Sequence, residues 1–529
     1  MEKIYPINID GIKNIGTEKW LEGYYIPVTG KEYQTIYDDV FTSYIDVVKQ
    51  YNNDVVYWIA ISNVKTITTA TARRILEVLR LVSLKKKGYE YIVGKEKVGI
   101  PNDISEYEYN SLAKINLIDK AISGLDFQER FKNVLRTIKY SFPPLVFSGK
   151  SFLTNISSPV YFIGDRSQQE VVAYCQQNKI APIHLPPMLF AKNSYEKVDK
   201  DPDINEVLEF VCRFLVLINK QFPVINSSLF ELLRKEIDEC FRYSLLLFRQ
   251  NVNVLSRLKH DKLLVTGLGK QIHKIFIASW RYVGGDVEGL THGNAFINSY
   301  SPGYFHILSL VNHYVAASAG HKEIVQKSAK DFSFGLRMGN ITFISQPYYK
   351  RLFTELQRKR PVNKIKKIML VGFPMVDCYY PFLAGGYAFA QLSLELRIGK
   401  ILRSNGYNVI YKPHPMTAND GEGIFDGYAD EVVKARFEEV FDKADCIVFG
   451  YCATTTFGFS LLTNKPIVLI EVKGNFRYPR AFELIKQRCS VVEAEEVDGK
   501  IHFDKKDVLA AVEDSLENIN YDLLYEFAF

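Results

Sequence analysis

Lys412-Pro413-His414-Pro415 directly follows the apolar run from Asn408 to Tyr411. An ammonium and an imidazole at the end of a buried strand can meet an anion, and the two prolines restrict the backbone around His414. A histidine held in this way can hydrogen-bond a leaving phosphate or protonate it. A rigid turn carrying a surface histidine is the plainer account of the same letters. Further on, Tyr451-Cys452-Ala453-Thr454-Thr455-Thr456-Phe457-Gly458 lies between an apolar run ending at Gly450 and a helical stretch. Three hydroxyls at a helix amino terminus, with its N–H groups and positive dipole end, make an anion site, whereas capping alone needs one threonine. Lys412, His414, Pro415, Thr454, Thr455 and Thr456 are therefore the expected phosphate-binding set.

A third segment, Gly284-Gly285-Asp286-Val287-Glu288-Gly289-Leu290-Thr291-His292-Gly293-Asn294, carries two carboxylates and a His-Gly pair at the close of a predicted strand. Asp286, Glu288 and His292 can take the proton of an acceptor hydroxyl, or a carboxylate can attack an electrophilic carbon, with Glu288 preferred to Asp286. Solvated loop carboxylates are the plainer alternative. Gly293 joins the ligand-binding set. Weaker candidates are Asp165 and Arg166 after a first strand, and Arg477 and Arg480 after a last one, where a guanidinium can pair with a carboxylate or phosphate.

These groups need elements to position them. From Pro159, VYFIG, a helical stretch and IAPIHL read as strand, helix, strand. A helix-rich stretch from 203 to 260 interrupts the alternation, which resumes at KLLVTGLG (262 to 269) and at Val287 to Thr291, Val311 to Ala316 and Ile341 to Ser345. A second series follows RKRPVNKIKK: strands at IMLVGFP, VIYKPHP, DCIVFG and PIVLIE, with helices near Ala388 to Asn405, Tyr428 to Lys443 and Thr456 to Leu462. The expectation is an α/β chain with residues 1–363 as an acceptor-side domain, carrying a helical insertion near 190–260, and residues 364–529 as a nucleotide-binding domain. Ligands then bind beyond the carboxyl ends of the strands, in a cleft between two Rossmann-like domains.

Composition excludes several classes. At 529 residues the chain exceeds one ordinary core, and 47% hydrophobic with 24% charged residues is typical of a folded chain. A net charge of +6 is scattered rather than striped, so no nucleic-acid partner is expected. Seven cysteines without CxxC pairs point to a reducing compartment and to no metal site. No run of about 18 apolar residues appears, and the amino terminus lacks a signal-peptide core. GLGK (267 to 270) lacks the spacing of a Walker loop, no GxGxxG opens either domain, and Asp201-Pro202-Asp203 lies in a polar loop, so no cofactor and no metal are expected.

YKPHP followed by ADCIVFGYCATTTFGFSLLTNKPIVLIE resembles the carboxyl-terminal half of bacterial GT-B glycosyltransferases that carry a His-Pro motif and use CMP-sugars. These are the sialyltransferases and especially the Kdo (3-deoxy-octulosonic acid) transferases of capsule and lipopolysaccharide synthesis. The same residues resemble CDP-glycerol glycerophosphotransferases, although Thr291 stands where an aromatic residue often precedes the His-Gly of that group. The resemblance covers residues 366 to 475 and implies contacts from His414 and Thr454, Thr455 and Thr456 to the donor phosphate. It implies a GT-B clamshell moving a sugar, Kdo being favoured, from a CMP-sugar co-substrate to a glycan or lipid-linked glycan acceptor. Such an enzyme is expected in the cytoplasm or peripherally at the inner membrane, with its final segment, Asn518 to Phe529, folded back onto the first domain. Rival readings are a polyol-phosphate transferase, a sialyltransferase, an epimerase acting on UDP-N-acetylglucosamine, and a non-catalytic nucleotide-binding scaffold of a glycan-assembly complex.

Overall fold

A computed structural model describes residues 4–6, 9–51, 54–93, 96–98, 160–164, 169–185, 195–225, 227–257, 262–292, 300–345, 347–358, 362–373, 387–415, 423–474 and 477–529. Asp165, Arg166 and Gly293 lie outside the described residues. The chain is a mixed α/β protein with parallel sheets, and its packing separates two units. One holds the described residues within Tyr37–Ala72 and Ser105–Tyr348, the other those within Met1–Ile36, Arg73–Ile104 and Tyr349–Phe529. The sequence reading drew a single line near 361–367; in the structure two amino-terminal segments pack with the carboxyl-terminal sheet.

The first of these units contains six parallel strands in the order β5-β4-β6-β7-β8-β9. They are β4 Val160–Ile163, β5 Ile183–His184, β6 Lys262–Val265, β7 Asp286–Leu290, β8 His313–Ala316 and β9 Asn340–Phe343. Between β5 and β6 run the helices Ile204–Gln221 and Ser227–Leu255, within the expected insertion. The first of these helices buries Val207, Phe210, Val211, Phe214 and Ile218 at three- and four-residue spacing, the signature of one apolar stripe.

The second unit contains a seven-stranded sheet in the order β12-β11-β10-β13-β14-β15-β16. Its strands are β10 Lys367–Val371, β11 Asn408–Lys412, β12 Glu431–Val432, β13 Cys446–Phe449, β14 Ile467–Val472, β15 Ser490–Val497 and β16 Lys500–His502. Only β16 in this sheet pairs antiparallel, against β15. Every residue of β13 is buried, as a parallel strand covered on both faces requires. The helix expected near Tyr428 to Lys443 is instead β12, a bend and the short helix Phe437–Val440. Edge pairing overrides the local pattern there: Asp430 N donates to Val409 O (2.7 Å) and Val433 N to Tyr411 O (2.9 Å).

Three short strands, β1 Ile4–Pro6, β2 Glu90–Val93 and β3 Glu96–Val98, belong to the same unit. Tyr5 and Trp20 bring their rings 6.4 and 5.9 Å from Phe389, which is fully buried on the helix Tyr387–Ser404. Glu18 pairs with Lys400 on the same helix, and Ile26 N donates to Gly499 O at 2.6 Å. The tail was expected on the first domain. Its helix Asp522–Phe527 packs against the helix Pro479–Arg488, and Tyr521, edge-on, and Phe529, tilted, lie 5.0 and 5.4 Å from Phe353 on the helix Pro347–Gln357, which the sequence reading counted with the first domain and which packs in the second unit. Among the described residues no helix is long and apolar enough to cross a membrane.

Because Tyr5 and Trp20 cover Phe389, a fragment of residues 364–529 exposes a large aromatic face that the whole chain buries. Truncating one such buried ring costs about 3–5 kcal/mol. The fragment is expected to unfold at far lower urea concentration than the full chain; a cooperative transition at the full-length midpoint would overturn this account.

Candidate functional site

In the seven-stranded sheet β10 is the first strand. The chain builds β11 and β12 on one side of it and then crosses to build β13, β14 and β15 on the other. This is the 3-2-1-4-5-6 order of doubly wound sheets, whose ligands sit beyond the carboxyl ends at the point of reversal. Val371 is in register with Lys412 on one side and with Phe449 on the other. The turns carrying His414 and Tyr451 to Thr454 therefore leave the sheet at one level, flanking the turn after β10. With neighbouring strands about 4.8 Å apart, β11 and β13 are about 10 Å apart.

The floor of this crevice is close-packed. A Cβ on Gly372 would fall 2.2 Å from the Tyr411 hydroxyl, and one on Gly450 would fall 2.5 Å from Gln391 Nε2. Beneath them Glu395, fully buried on the helix Tyr387–Ser404, accepts from Phe373 N (2.8 Å) and from the Tyr411 hydroxyl (3.0 Å). Burial pushes the Glu395 carboxyl up to about 7, against the opposing pull of those hydrogen bonds. Phe373 meets Tyr451 edge-on at 5.0 Å, joining the turns after β10 and β13.

On the β11 side, Lys412 is buried and its Nζ donates to Pro413 O at 2.7 Å. The ammonium expected at a phosphate is thus bonded to its own turn, and burial holds its pKa below the ordinary lysine value. Its contribution is to stiffen the turn that carries His414. Pro415 is exposed and His414 half-buried. Burial first, and the Lys412 charge second, lower the His414 pKa, so near pH 7 the imidazole is neutral and carries a single N–H.

On the β13 side, Thr454 caps the helix Thr455–Leu462 by accepting from Phe457 N at 3.1 Å. Capping uses an acceptor lone pair of Thr454 and leaves its O–H proton for a ligand. Thr455 is exposed and Thr456 half-buried at the helix amino terminus, where N–H groups and the dipole favour an anion. Both arginine candidates have other partners: Arg477 pairs with Glu471 at 2.8 Å, and Arg480 with Glu526 at 2.7 Å on the tail.

The six-stranded sheet separates the remaining candidates. His292 lies beyond the carboxyl end of β7, and its Nδ1 is 3.4 Å from where a Cβ on Gly267 would stand. Gly267, at φ 63°, belongs to the GLGK turn between β6 and the helix Gln271–Tyr282. That glycine turn, set aside as an incomplete nucleotide motif, is the seat of the imidazole. Asp286 opens β7 at the opposite edge, with His313 Nε2 at 3.8 Å, and about 13 Å of extended chain separates it from the strand's carboxyl end. Glu288 sits mid-strand. It accepts from the Tyr174 hydroxyl on the helix Gln169–Gln177 and from Lys262 Nζ at 2.9 Å. Its place beneath a covering helix departs from the expected cleft-facing position, and the physical reason is strand alternation, which turns it toward the core of Phe162, Leu264 and Leu290.

Glu395, Gln391, Gly372 and Gly450 were not picked out from sequence. A signal was present, since Glu395 is the lone charged residue, four residues after Gln391, in the largely apolar YAFAQLSLEL. No protein-family model and no curated protein matches the chain.

Two outcomes follow from these placements. Glu395 has a raised pKa in the fold, so its contribution is fully present below its ordinary value of 4.5 and is lost as pH rises through about 7. Thermal melts from pH 4.5 to 8 should show that loss in the native chain and not in Glu395→Gln; identical profiles would refute the assignment. Glu288→Gln should lower stability by about 1–3 kcal/mol through the weakened Tyr174 and Lys262 contacts, read as a shifted urea midpoint. An unchanged midpoint would return Glu288 to a chemical role.

Proposed function

We propose that this protein is a GT-B glycosyltransferase that moves a sugar from a CMP-sugar, Kdo being favoured, onto a bacterial glycan or lipid-linked glycan. The observation that supports it is the strand order that puts the His414 turn and the Thr454–Thr456 helix terminus on either side of β10 at one level. A leaving phosphate there would receive the hydroxyl protons, the N–H groups of the helix terminus and one N–H from neutral His414. Because the imidazole is neutral, His414 is assigned as a hydrogen-bond donor to developing charge, not as a preformed acid.

On the acceptor side the proposed base is His292, since it stands at a carboxyl edge. Asp286 and Glu288 are assigned to the amino edge and the core. The two-domain GT-B arrangement, the CMP-sugar and attachment to the inner membrane surface all belong to this proposal.

His414→Ala is expected to cost on the order of 10²-fold or more in turnover, with CMP binding weakened less, because the interaction strengthens in the transition state. Near-normal turnover in the folded variant would remove His414 from the mechanism. His292→Ala should abolish transfer while CMP binding, followed by calorimetry, stays within about threefold of the native value. Incubation with CMP-Kdo, CMP-sialic acid and CDP-glycerol separately should release nucleotide from CMP-Kdo; release from another identifies that donor instead. Binding of UDP alone would favour an epimerase, and no cytidine nucleotide binding at millimolar concentration would favour a scaffold.

A further inference from the structure

At the amino edge of the six-stranded sheet, opposite His292, a cavity of about 270 Å³ opens beside the starts of β8 and β9. Its lining includes Tyr57, Trp58, Arg281, Ser309, Asn312 and Arg337, all within one packing unit. Arg281 closes the helix Gln271–Tyr282; its guanidinium lies 5.1 Å from the Trp58 ring centre and donates to Leu310 O at 3.1 Å. That bond uses one of five N–H donors and fixes the plane of the group. Arg337 is exposed, and its charge acts on Arg281 strongly enough to help lower the Arg281 pKa, burial being the larger cause. Tyr57 first and Asp286 second offset part of this, and among the described residues neither guanidinium has a carboxylate within ion-pair reach. Two like charges so placed are relieved by an anion between them.

The other donors agree in sign. Ser309 is 5% exposed, and its hydroxyl has no hydrogen-bond partner, an uncommon cost that a ligand oxygen would remove. Asn312 Oδ1 accepts from Val287 N at 2.9 Å, which orients the amide and leaves its NH₂ as a donor. The cavity lies just below the range of about 300–1,000 Å³ that drug-sized ligands occupy, so it suits a single sugar ring or smaller and excludes a nucleotide.

We propose that this pocket is a second binding site, distinct from the carboxyl-edge crevice, for a small anionic sugar whose phosphate or carboxylate lies between Arg281 and Arg337 with Ser309 and Asn312 as further donors. Tyr57 and Trp58, edge-on to one another at 5.3 Å, give the ring an aromatic wall. The site does not depend on the proposed transferase activity.

The test uses the full chain with saturating CMP, so that phosphate binding at the crevice is suppressed. Glucose 6-phosphate, galacturonate and glucose are titrated separately by calorimetry. At least one of the two anions should bind and glucose should not; binding of one anion alone identifies phosphate or carboxylate as the recognised group. Arg337→Gln, at an exposed position, should weaken that binding about tenfold or more, and Ser309→Ala should weaken it less. Arg281→Lys, which keeps the charge and loses the fork, is a second variant, checked for an unchanged melting temperature. Absence of anion binding to the native chain, equal binding of glucose, or unaltered affinity in both arginine variants would overturn the proposal. Failure to bind CMP would count against the transferase reading and leave this site standing.

Discussion

The carboxyl of Glu395 holds the crevice of the second unit together. Its two oxygens receive the backbone N–H of Phe373, on the turn leaving β10, and the hydroxyl of Tyr411, on β11. A carboxyl with no exposure cannot be stable there without those donors, and the turn cannot approach the sheet so closely without a partner for its N–H. Gly372 and Gly450 follow from the same constraint, since a side chain at either would collide with Tyr411 or Gln391. Because burial favours the protonated acid, the crevice floor carries little negative charge at mildly acidic pH, where an ionised glutamate would repel an anion above it.

The two sheets place comparable residues to different ends. Residues beyond a parallel strand's carboxyl end face open crevice, and His292 and His414 both stand there. Residues within the strand take their direction from the pleat, so Glu288 faces a helix and holds it through Tyr174. Asp286, two residues earlier on the same face, emerges at the amino edge beside His313. Whether a carboxylate of this glycine-rich segment meets the sheet edge or a covering helix therefore depends on its position along the strand by two residues.

The strands were legible because parallel strands buried on both faces appear as short apolar runs bounded by glycine, serine or asparagine; CIVF and IVLIEV lie where the runs predict. The helix-start signal at the threonines was equally local, and Thr454 caps as its type implies. Long-range pairing was not legible. Nothing near Glu431 announces that β11 recruits it as an edge strand, and nothing in Tyr5 or Trp20 names Phe389 as their partner. Side-chain direction was hidden in the same way, which is why Lys412, Arg477 and Glu288 read as ligand-facing when their partners are Pro413 O, Glu471 and Tyr174.

Those internal pairings determine how each site would hold an anion. At the crevice Lys412, Arg477 and Arg480 are all engaged elsewhere, so the groups that flank β10 are hydroxyls, a helix terminus and a neutral imidazole. Dipoles aimed at one point act at short range, within the first turn of the helix, and place no full opposing charge beside an anion. The amino-edge pocket has the opposite construction, two guanidiniums with one fixed by Trp58 and the other exposed. Its attraction extends over a Debye length of about 8 Å at physiological ionic strength and weakens as salt rises. The crevice and the pocket thus differ in one physical respect, whether the positive potential comes from oriented dipoles or from formal charge.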